Sequence, residues 1–322
     1  MRRYGLSRLA YAPYLVQMVV TRKCNLSCGY CNEYDDHSPP VPTEELRRRI
    51  DKVWELGAWA LEYTGGEPLE HPDLVELVRY AKQVKGFYKV QLISNLYLWN
   101  EATVRALNEA GLDDLQVSVD GVMPNDVTVK VLKPMRKKLE TLAKHATFTV
   151  TMNAVIGSAP PGEAAEVLEV ARQLGFKPRV GLVHDGKGQL NLDAARRAEI
   201  ERIKRVVGKG FDNGRGYRAK LAESGTAPFK CRSGSRYLYI DEFGYVRWCS
   251  QTRDYWGMPL AEYSLAHLKE QFETRKDCAP GCTVACVRTS SAPDEWRGQH
   301  RPDPGPPPEK LVQLGARTPP QA

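Results

Sequence analysis

Long hydrophobic runs are missing from this chain. The stretch Tyr14–Thr21 falls far short of the roughly 18 to 20 apolar residues that cross a bilayer, so no membrane-spanning helix and no membrane partner are expected. A secretory signal is missing too. Arg2 and Arg3 begin like one, but Pro13 and Gln17 interrupt the apolar stretch and no small-residue cleavage site follows. The expected location is therefore the cytoplasm. No internal repeat is visible, and no compositional bias marks collagen, coiled coil or wholesale disorder: 42% of the 322 residues are hydrophobic and 26% charged, as in a globular protein with ample core. Neither sign of charge dominates. The net charge of +7 tolerates an anionic partner without demanding one.

What is present is an alternation of short apolar or β-branched runs with segments of helical period, the mark of consecutive βα units around a parallel sheet. Strands are expected at Tyr14–Thr21, Ala58–Thr64, Lys89–Ser94, Leu115–Val119, Phe148–Ile156 and Arg179–His184. Helices are expected from a cap at Thr43 to a stop at Gly57, then at Pro72–Lys85, Glu101–Ala110, Pro134–Lys144 and Gly162–Leu174, the last ended by Gly175. Such a chain makes an α/β fold, a partial (β/α)6 TIM-like barrel whose ligand sites lie at the carboxyl ends of the strands. Beyond it, Asp193–Val207 reads as a charged helix before the glycine-rich stretch Gly208–Gly216. Tyr237–Ile240 and Tyr245–Trp248 form a hairpin, and Leu265–Arg275 a further helix. Eight of the 22 prolines fall in the 36 residues after Cys286, so Pro302–Ala322 is expected to be disordered. The expected division is 1–13 as an extension, 14–190 as the barrel, 191–227 as linker and helix, 228–288 as a small module of hairpin plus helix, and 289–322 as a tail.

Eight cysteines stand in two tight groups, and in a reducing compartment they point to metal or cluster ligation rather than disulfides. Cys24, Cys28 and Cys31 form C-x3-C-x2-C directly after the first strand. Three thiolates hold three irons of a [4Fe–4S] cube and leave the fourth open to a chelating substrate such as the methionyl end of S-adenosylmethionine, whereas a closed structural site wants four ligands. Zinc with a distant fourth ligand, or buried thiols without metal, are the alternatives.

With these cysteines, and with Thr64-Gly65-Gly66-Glu67-Pro68 ending the second strand, the sequence resembles the radical S-adenosylmethionine superfamily from about Tyr14 to His184. The resemblance implies that Tyr30 lies beside the adenine and that Gly65, Gly66, Glu67 and Pro68 bind the methionyl amino group, glycines allowing close backbone approach and a carboxylate complementing an ammonium. It further implies that Ser94, Asn95, Ser118 and Asp120 present polar groups to the ribose, and that Asn153 and Ile156 contact sulfonium, ribose or adenine. His184, at the end of strand six, is placed to face substrate or to serve the structure.

The second group, Cys231-x12-Gly244-x4-Cys249 followed by Cys278, Cys282 and Cys286 in C-x3-C-x3-C, resembles the SPASM and twitch extensions of that superfamily. Full SPASM modules use seven cysteines for two auxiliary clusters. Five are present here, which matches a twitch-like module in which four hold one auxiliary [4Fe–4S] cluster. The spacing does not say which two of Cys278, Cys282 and Cys286 join Cys231 and Cys249, and a structural zinc is the alternative.

The basic runs Arg47–Arg49, Lys133–Lys138 and Arg196–Arg205 fall on expected surface helices with acidic or apolar neighbours, so nucleic acid is not an expected partner. The 13 residues before the first strand are too few for a leader-peptide-binding domain. The expected function is an enzyme that reductively cleaves S-adenosylmethionine to a 5′-deoxyadenosyl radical, with electrons from a flavodoxin- or ferredoxin-type donor. The radical takes a hydrogen atom from a peptide or small-molecule substrate, for oxidation or cross-linking with the auxiliary cluster's help. Two other readings stay open: a rearranging or cyclising enzyme whose auxiliary cluster anchors substrate, and a zinc-stapled binding protein without catalysis.

Overall fold

The computed structural model describes residues 10–31, 33–182, 193–207, 217, 220, 221, 227, 229–253, 255–276, 278 and 281–297. Expectations placed on His184, the 208–216 stretch and the proline-rich tail lie outside them.

Six parallel strands follow the chain: β1 (Leu15–Thr21), β2 (Ala60–Gly65), β3 (Lys89–Ser94), β4 (Asp114–Ser118), β5 (Thr149–Ile156) and β6 (Lys177–Leu182). Their spatial order is β6-β5-β4-β3-β2-β1. Helices α1 (Thr43–Glu55), α2 (Leu74–Arg79), α3 (Glu101–Ala110), α4 (Leu132–His145) and α5 (Glu163–Gln173) return the chain between them, and α6 (Ala194–Val207) follows β6. Along β1, Val16, Met18 and Val20 join Leu46, Ile50 and Val53 of α1 in one core, while Gln17, Val19 and Thr21 turn to the concave side of the sheet. The same division runs through β2 to β6.

Local departures from the expected elements have local causes. Thr43 does not cap α1: Pro42 is the N-cap, and the Thr43 hydroxyl donates to Asp73 Oδ2 at 2.5 Å. Helix α4 begins two residues before Pro134, because a proline in the first turn removes an N–H that has no helical acceptor. Pro178 sits inside β6, which tolerates it as an edge strand of the sheet. Past Arg79 the second helix continues as a π-helical turn, Tyr80–Lys85, ended by Gly86 at φ +75°.

Beyond α6, strands β7 (Tyr237–Ile240), β8 (Tyr245–Arg247) and β9 (Met258–Pro259) extend the sheet past β1. β7 runs parallel to β1, with Leu15 opposite Tyr237 and Met18 opposite Ile240, and all four of its residues are buried. The hairpin is thus a continuation of the barrel sheet rather than a separate layer, and it covers the edge that β1 would otherwise expose. Arg49 of α1 holds its turn through bonds to the carbonyls of Asp241 and Glu242, both at 3.1 Å. Helix α7 (Leu265–Glu273) packs outside, and a short helix not foreseen from sequence, α8 (Ala285–Ser291), carries Cys286. The buried Arg236–Asp294 pair, 2.6 Å, ties the end of this segment under the start of the chain, where Arg236 also donates to the Ala12 carbonyl at 2.7 Å. Among the described residues no helix is long and apolar enough to cross a membrane.

Candidate functional site

The loop after β1 is closed by backbone before any ligand is considered. Cys24 donates to the Asp35 carbonyl at 3.0 Å and Asp35 returns a bond to the Arg22 carbonyl at 2.9 Å. Cys31 N–H reaches the Cys28 carbonyl at 3.1 Å, and Gly29 is tied to Val127 of the β4–α4 connection at 2.8 Å. Cys24, Cys28 and Cys31 therefore project from one braced loop. Burial pushes the Cys24 thiol up to about 12 and the Cys31 thiol up to about 11, and the charge of the neighbouring thiols adds to both.

The end of β2 lies against this loop. A Cβ on Gly65 would stand 2.1 Å from the Thr21 carbonyl oxygen, and one on Gly66 2.3 Å from those of Arg22 and Lys23. The two glycines thus let β2 approach the cysteine loop, and Gly66 and Glu67 donate to Thr21 and Lys23 at 2.9 Å each. Pro68 opens the short turn that follows. Glu67 itself is 0% exposed. Its oxygens accept from the Ser94 hydroxyl at 2.8 Å, the Asn95 N–H at 2.8 Å and the Leu69 N–H at 3.2 Å, so the carboxylate fastens β2 to β3 instead of facing outward. Burial raises it to about 7. Ser94 is fully engaged in the same knot, accepting from Trp99 Nε1 at 2.8 Å. Asn95 reaches the cysteine loop, donating to Asn25 Oδ1 at 2.8 Å with Cys24 Sγ 3.7 Å away.

On the other side of the loop, the Tyr30 hydroxyl donates to Asp120 Oδ2 at 2.6 Å, and Thr128 donates to the same oxygen at 2.9 Å. Lys130 bonds to the Tyr30 hydroxyl and stands 3.4 Å from Asp120 Oδ2. Asp120 Oδ1, by contrast, is buried with no partner, an acceptor fit for a ligand hydroxyl. Ser118 and Asn153 are register partners across β4 and β5, both half-buried on the concave side. Ile156 is not with them. It lies three residues from Asn153, so the strand's alternation turns it to the opposite face, 3% exposed in the core against the helices. Val155 holds the concave position. Thr128, Lys130 and Asn25 were not singled out from sequence: Asn25 is an unspecified position of the cysteine motif, Thr128 and Lys130 lie in a loop with no motif, and only the fold brings them here.

In the second group the structure sorts the five cysteines. Burial pushes Cys249 up to about 11 and Cys278 and Cys282 well above the usual thiol range, and both of the latter feel the charges of Cys231 and Cys249. Lys276 beside Cys231 and Cys278 is pushed down to about 8 by burial. Cys286 belongs to other company: its sulfur accepts from Gln17 Nε2 at 3.5 Å and faces Arg179 Nη2 at 3.9 Å, and the charge it feels is that of Glu62 and Arg179 on the concave face. Cys278 and Cys282 thus answer to Cys231 and Cys249, while Cys286 answers to the concave face of the sheet.

Among the described residues no three His, Cys, Asp or Glu side chains are gathered as one metal ion would need. A polynuclear cluster takes one thiolate per iron, so its ligands need not converge on a point. Soft thiol donors in a set of three and a set of four, with an open acceptor and a glycine cradle beside the first, fit an iron–sulfur cluster with a bound nucleoside and a second, closed cluster.

The profile of the Radical SAM superfamily matches residues 18–193. The chain is 30% identical over 169 residues to the PqqA peptide cyclase of Bradyrhizobium diazoefficiens, covering 50% of this chain and 44% of that protein. It is 32% identical over 203 residues to the AdoMet-dependent heme synthase of Methanosarcina barkeri, covering 60% and 57%. The chain thus spans about half the length of the curated relatives it matches. In fold it is similar to Streptococcus suis SuiB, with a TM-score of 0.63 at 15% identity over 84% of this chain and 67% of that one.

Proposed function

Because the chain belongs to the Radical SAM superfamily, whose members are enzymes using a [4Fe–4S] cluster and S-adenosylmethionine, we propose that Cys24, Cys28 and Cys31 hold that cluster and that S-adenosylmethionine lies along the ends of β2 to β5. When bound, the pair supplies a one-electron cleavage to methionine and a 5′-deoxyadenosyl radical, which takes a hydrogen atom from substrate.

The chain's own residues do the positioning. Gly65 and Gly66 admit the strand end to the cysteine loop, and Glu67 locks β2 to β3 so that this approach is fixed. Tyr30, Thr128 and Lys130 orient Asp120 through one oxygen and leave Oδ1 open to a ribose hydroxyl. Ser118 and Asn153 line the adjoining wall. The buried apolar cluster of Val19, Tyr237, Tyr239, Cys249 and Val287 excludes water from the second cysteine group's side of β1. The observation that carries the reading is the meeting of a braced three-thiol loop, a glycine cradle and an open buried acceptor at the carboxyl ends of successive parallel strands.

On the same reading Cys231, Cys249, Cys278 and Cys282 hold a second [4Fe–4S] cluster, and Cys286 is left outside it. A cluster held by these four thiols would accept the electron that a substrate radical gives up, so that the net reaction would be a two-electron oxidation such as dehydrogenation or cross-linking. A peptide is the favoured substrate, since PqqA peptide cyclases are among the relatives, and a ferredoxin or flavodoxin is the electron source.

Anaerobic reconstitution tests this by metal content and by product. Two cubes give about eight irons and one gives about four, whereas zinc gives none. Replacing Cys24, Cys28 and Cys31 together by Ala is expected to leave about four irons and abolish 5′-deoxyadenosine formation. Cys282→Ser is expected to lose about four irons while Cys286→Ser keeps about eight. Cleavage at the wild-type rate in the triple variant overturns the assignment.

A further inference from the structure

The concave face holds a cavity of about 1250 Å³ at the end of the barrel opposite the cysteine loop. Its walls come from the first residues of the strands: Leu15 of β1, Ala60 and Glu62 of β2, Lys89 and Gln91 of β3, Thr151 of β5 and Lys177 of β6. Helix α8 closes one side with Ala285, Cys286 and Thr289. The cofactor residues described above stand at the other ends of the same strands, so the two regions share one face of one sheet.

The lining is lopsided in charge. Among the described residues, Lys89, Arg172, Lys177, Arg179, Arg205 and Arg288 border the cavity, against one carboxylate, Glu62. Glu62 is buried and already accepts from Gln17 Nε2. The Arg179 guanidinium donates to Gln116 Oε1 at 2.6 Å and faces the Cys286 sulfur, and its charge also favours the ionised form of Glu62. Among the described residues no carboxylate forms an ion pair with Lys177, Arg179 or Arg205, while Lys89 has Asp114 at 2.9 Å.

The cations are spread rather than focused. Lys89 and Lys177 start strands three places apart, about 14 Å across the sheet at the usual strand spacing, and the register offsets them by four residues, about 13 Å more along the strands. One phosphate or one small dicarboxylate does not reach both. The volume also exceeds the roughly 300 to 1000 Å³ of ordinary small-molecule pockets. An extended chain advances about 3.3 Å per residue, so about six residues cover the span.

We propose that this cavity binds an acidic peptide segment, its carboxylates meeting the cationic rim and its backbone running across the strand starts toward the concave site. The proposal rests on the reading of that face as the place of reaction, and it adds the charge and length of what enters.

The test uses anaerobically reconstituted holoenzyme and a fluorescein-labelled hexaglutamate peptide, with hexaglutamine as its neutral counterpart and citrate as a small polyanion. Hexaglutamate is expected to bind at least about tenfold more tightly than hexaglutamine at low salt, with the preference shrinking as salt rises. The double variant Lys177→Glu/Arg205→Glu is expected to weaken hexaglutamate binding about tenfold or more. The exposed pair Lys133→Glu/Lys137→Glu, on α4 and away from the cavity, leaves it unchanged. Hexaglutamate is also expected to shield Cys286 from iodoacetamide, read by mass spectrometry, where hexaglutamine does not. Equal binding of the two peptides, equal weakening by both double variants, unshielded Cys286, or displacement by citrate at equimolar concentration each overturns the proposal. The cofactor assignment is read without any peptide, from iron content and uncoupled formation of 5′-deoxyadenosine in the wild-type protein and in the triple cysteine variant. Failure of the peptide reading is therefore separable from failure of the cofactor assignment, which the triple cysteine variant addresses.

Discussion

A carboxylate stripped of water needs donors around it, and Glu67 has three, yet burial still lifts it from the ordinary value to about 7. The consequence for stability has a definite sign. Between about pH 4.5 and 7 the unfolded chain has released a proton that the folded chain keeps, so stability contributed by this group is complete below about 4.5 and is lost as pH rises through about 7, by up to about 1.4 kcal/mol per unit. Glu67→Gln removes the titration while keeping the shape, at a pH-independent cost from the acceptor it lacks. Urea unfolding of wild type and variant between pH 5.5 and 8 is expected to show the wild type losing ground to the variant toward high pH. Parallel curves would show that Glu67 is charged throughout. The same residue marks a limit of sequence reading. The Gly-Gly-Glu-Pro motif identifies the place, but not that its carboxylate also accepts from Ser94, Asn95 and Leu69 and so ties β2 to β3.

At the scale of elements, two glycines illustrate what a position tolerates. Gly86 ends the second helical segment at φ +75° with nothing within 4 Å of an added Cβ, so Gly86→Ala costs only the left-handed strain, about 1 to 2 kcal/mol, and leaves activity intact. Gly66 has carbonyl oxygens of the cysteine loop 2.3 Å from where a Cβ would stand, and a backbone carbonyl cannot swing away as a long side chain does. Gly66→Ala is therefore expected to push β2 off the loop, to lose about four irons on reconstitution and to cut S-adenosylmethionine cleavage by about a hundredfold or more. Wild-type iron and cleavage in Gly66→Ala would remove the close approach from the argument. The parallel strands were legible because their apolar runs are continuous or alternate cleanly, and β3 and α3 fall on the expected residues. Helix α8 was not legible: seven residues ending Thr289-Ser290-Ser291 carry little intrinsic helical preference, and tertiary contacts decide it. The parity of Ile156 was misjudged for a simpler reason, since a motif names a neighbourhood whereas a strand assigns faces one residue at a time.

Across the whole molecule, the two cysteine groups are joined by more than the sheet. Glu33, just beyond Cys31, accepts from the Tyr239 hydroxyl at 2.9 Å, and Arg253, just beyond Cys249, donates to that same hydroxyl at 2.8 Å. Arg253 also pairs with Glu242 at 2.6 Å, and Glu242 receives Arg22 from the start of the cysteine loop at 3.3 Å. Burial raises Glu33, and Arg253 opposes that rise more than any other group. One guanidinium thus faces two enclosed carboxylates drawn from the two halves of the molecule. Removing it leaves both acids to Arg22 alone, and breaking such a buried pair destabilises by up to about 3 to 5 kcal/mol. Arg253→Met keeps the packing volume and removes the charge, so its melting temperature is expected to fall by several degrees. Because the network touches both cysteine loops, iron release to a chelator should accelerate from both clusters together, seen as a single faster phase covering all the iron. If only half the iron leaves faster while the Cys24, Cys28 and Cys31 site keeps its cluster and its cleavage activity, the two halves are held independently and the shared sheet alone unites them.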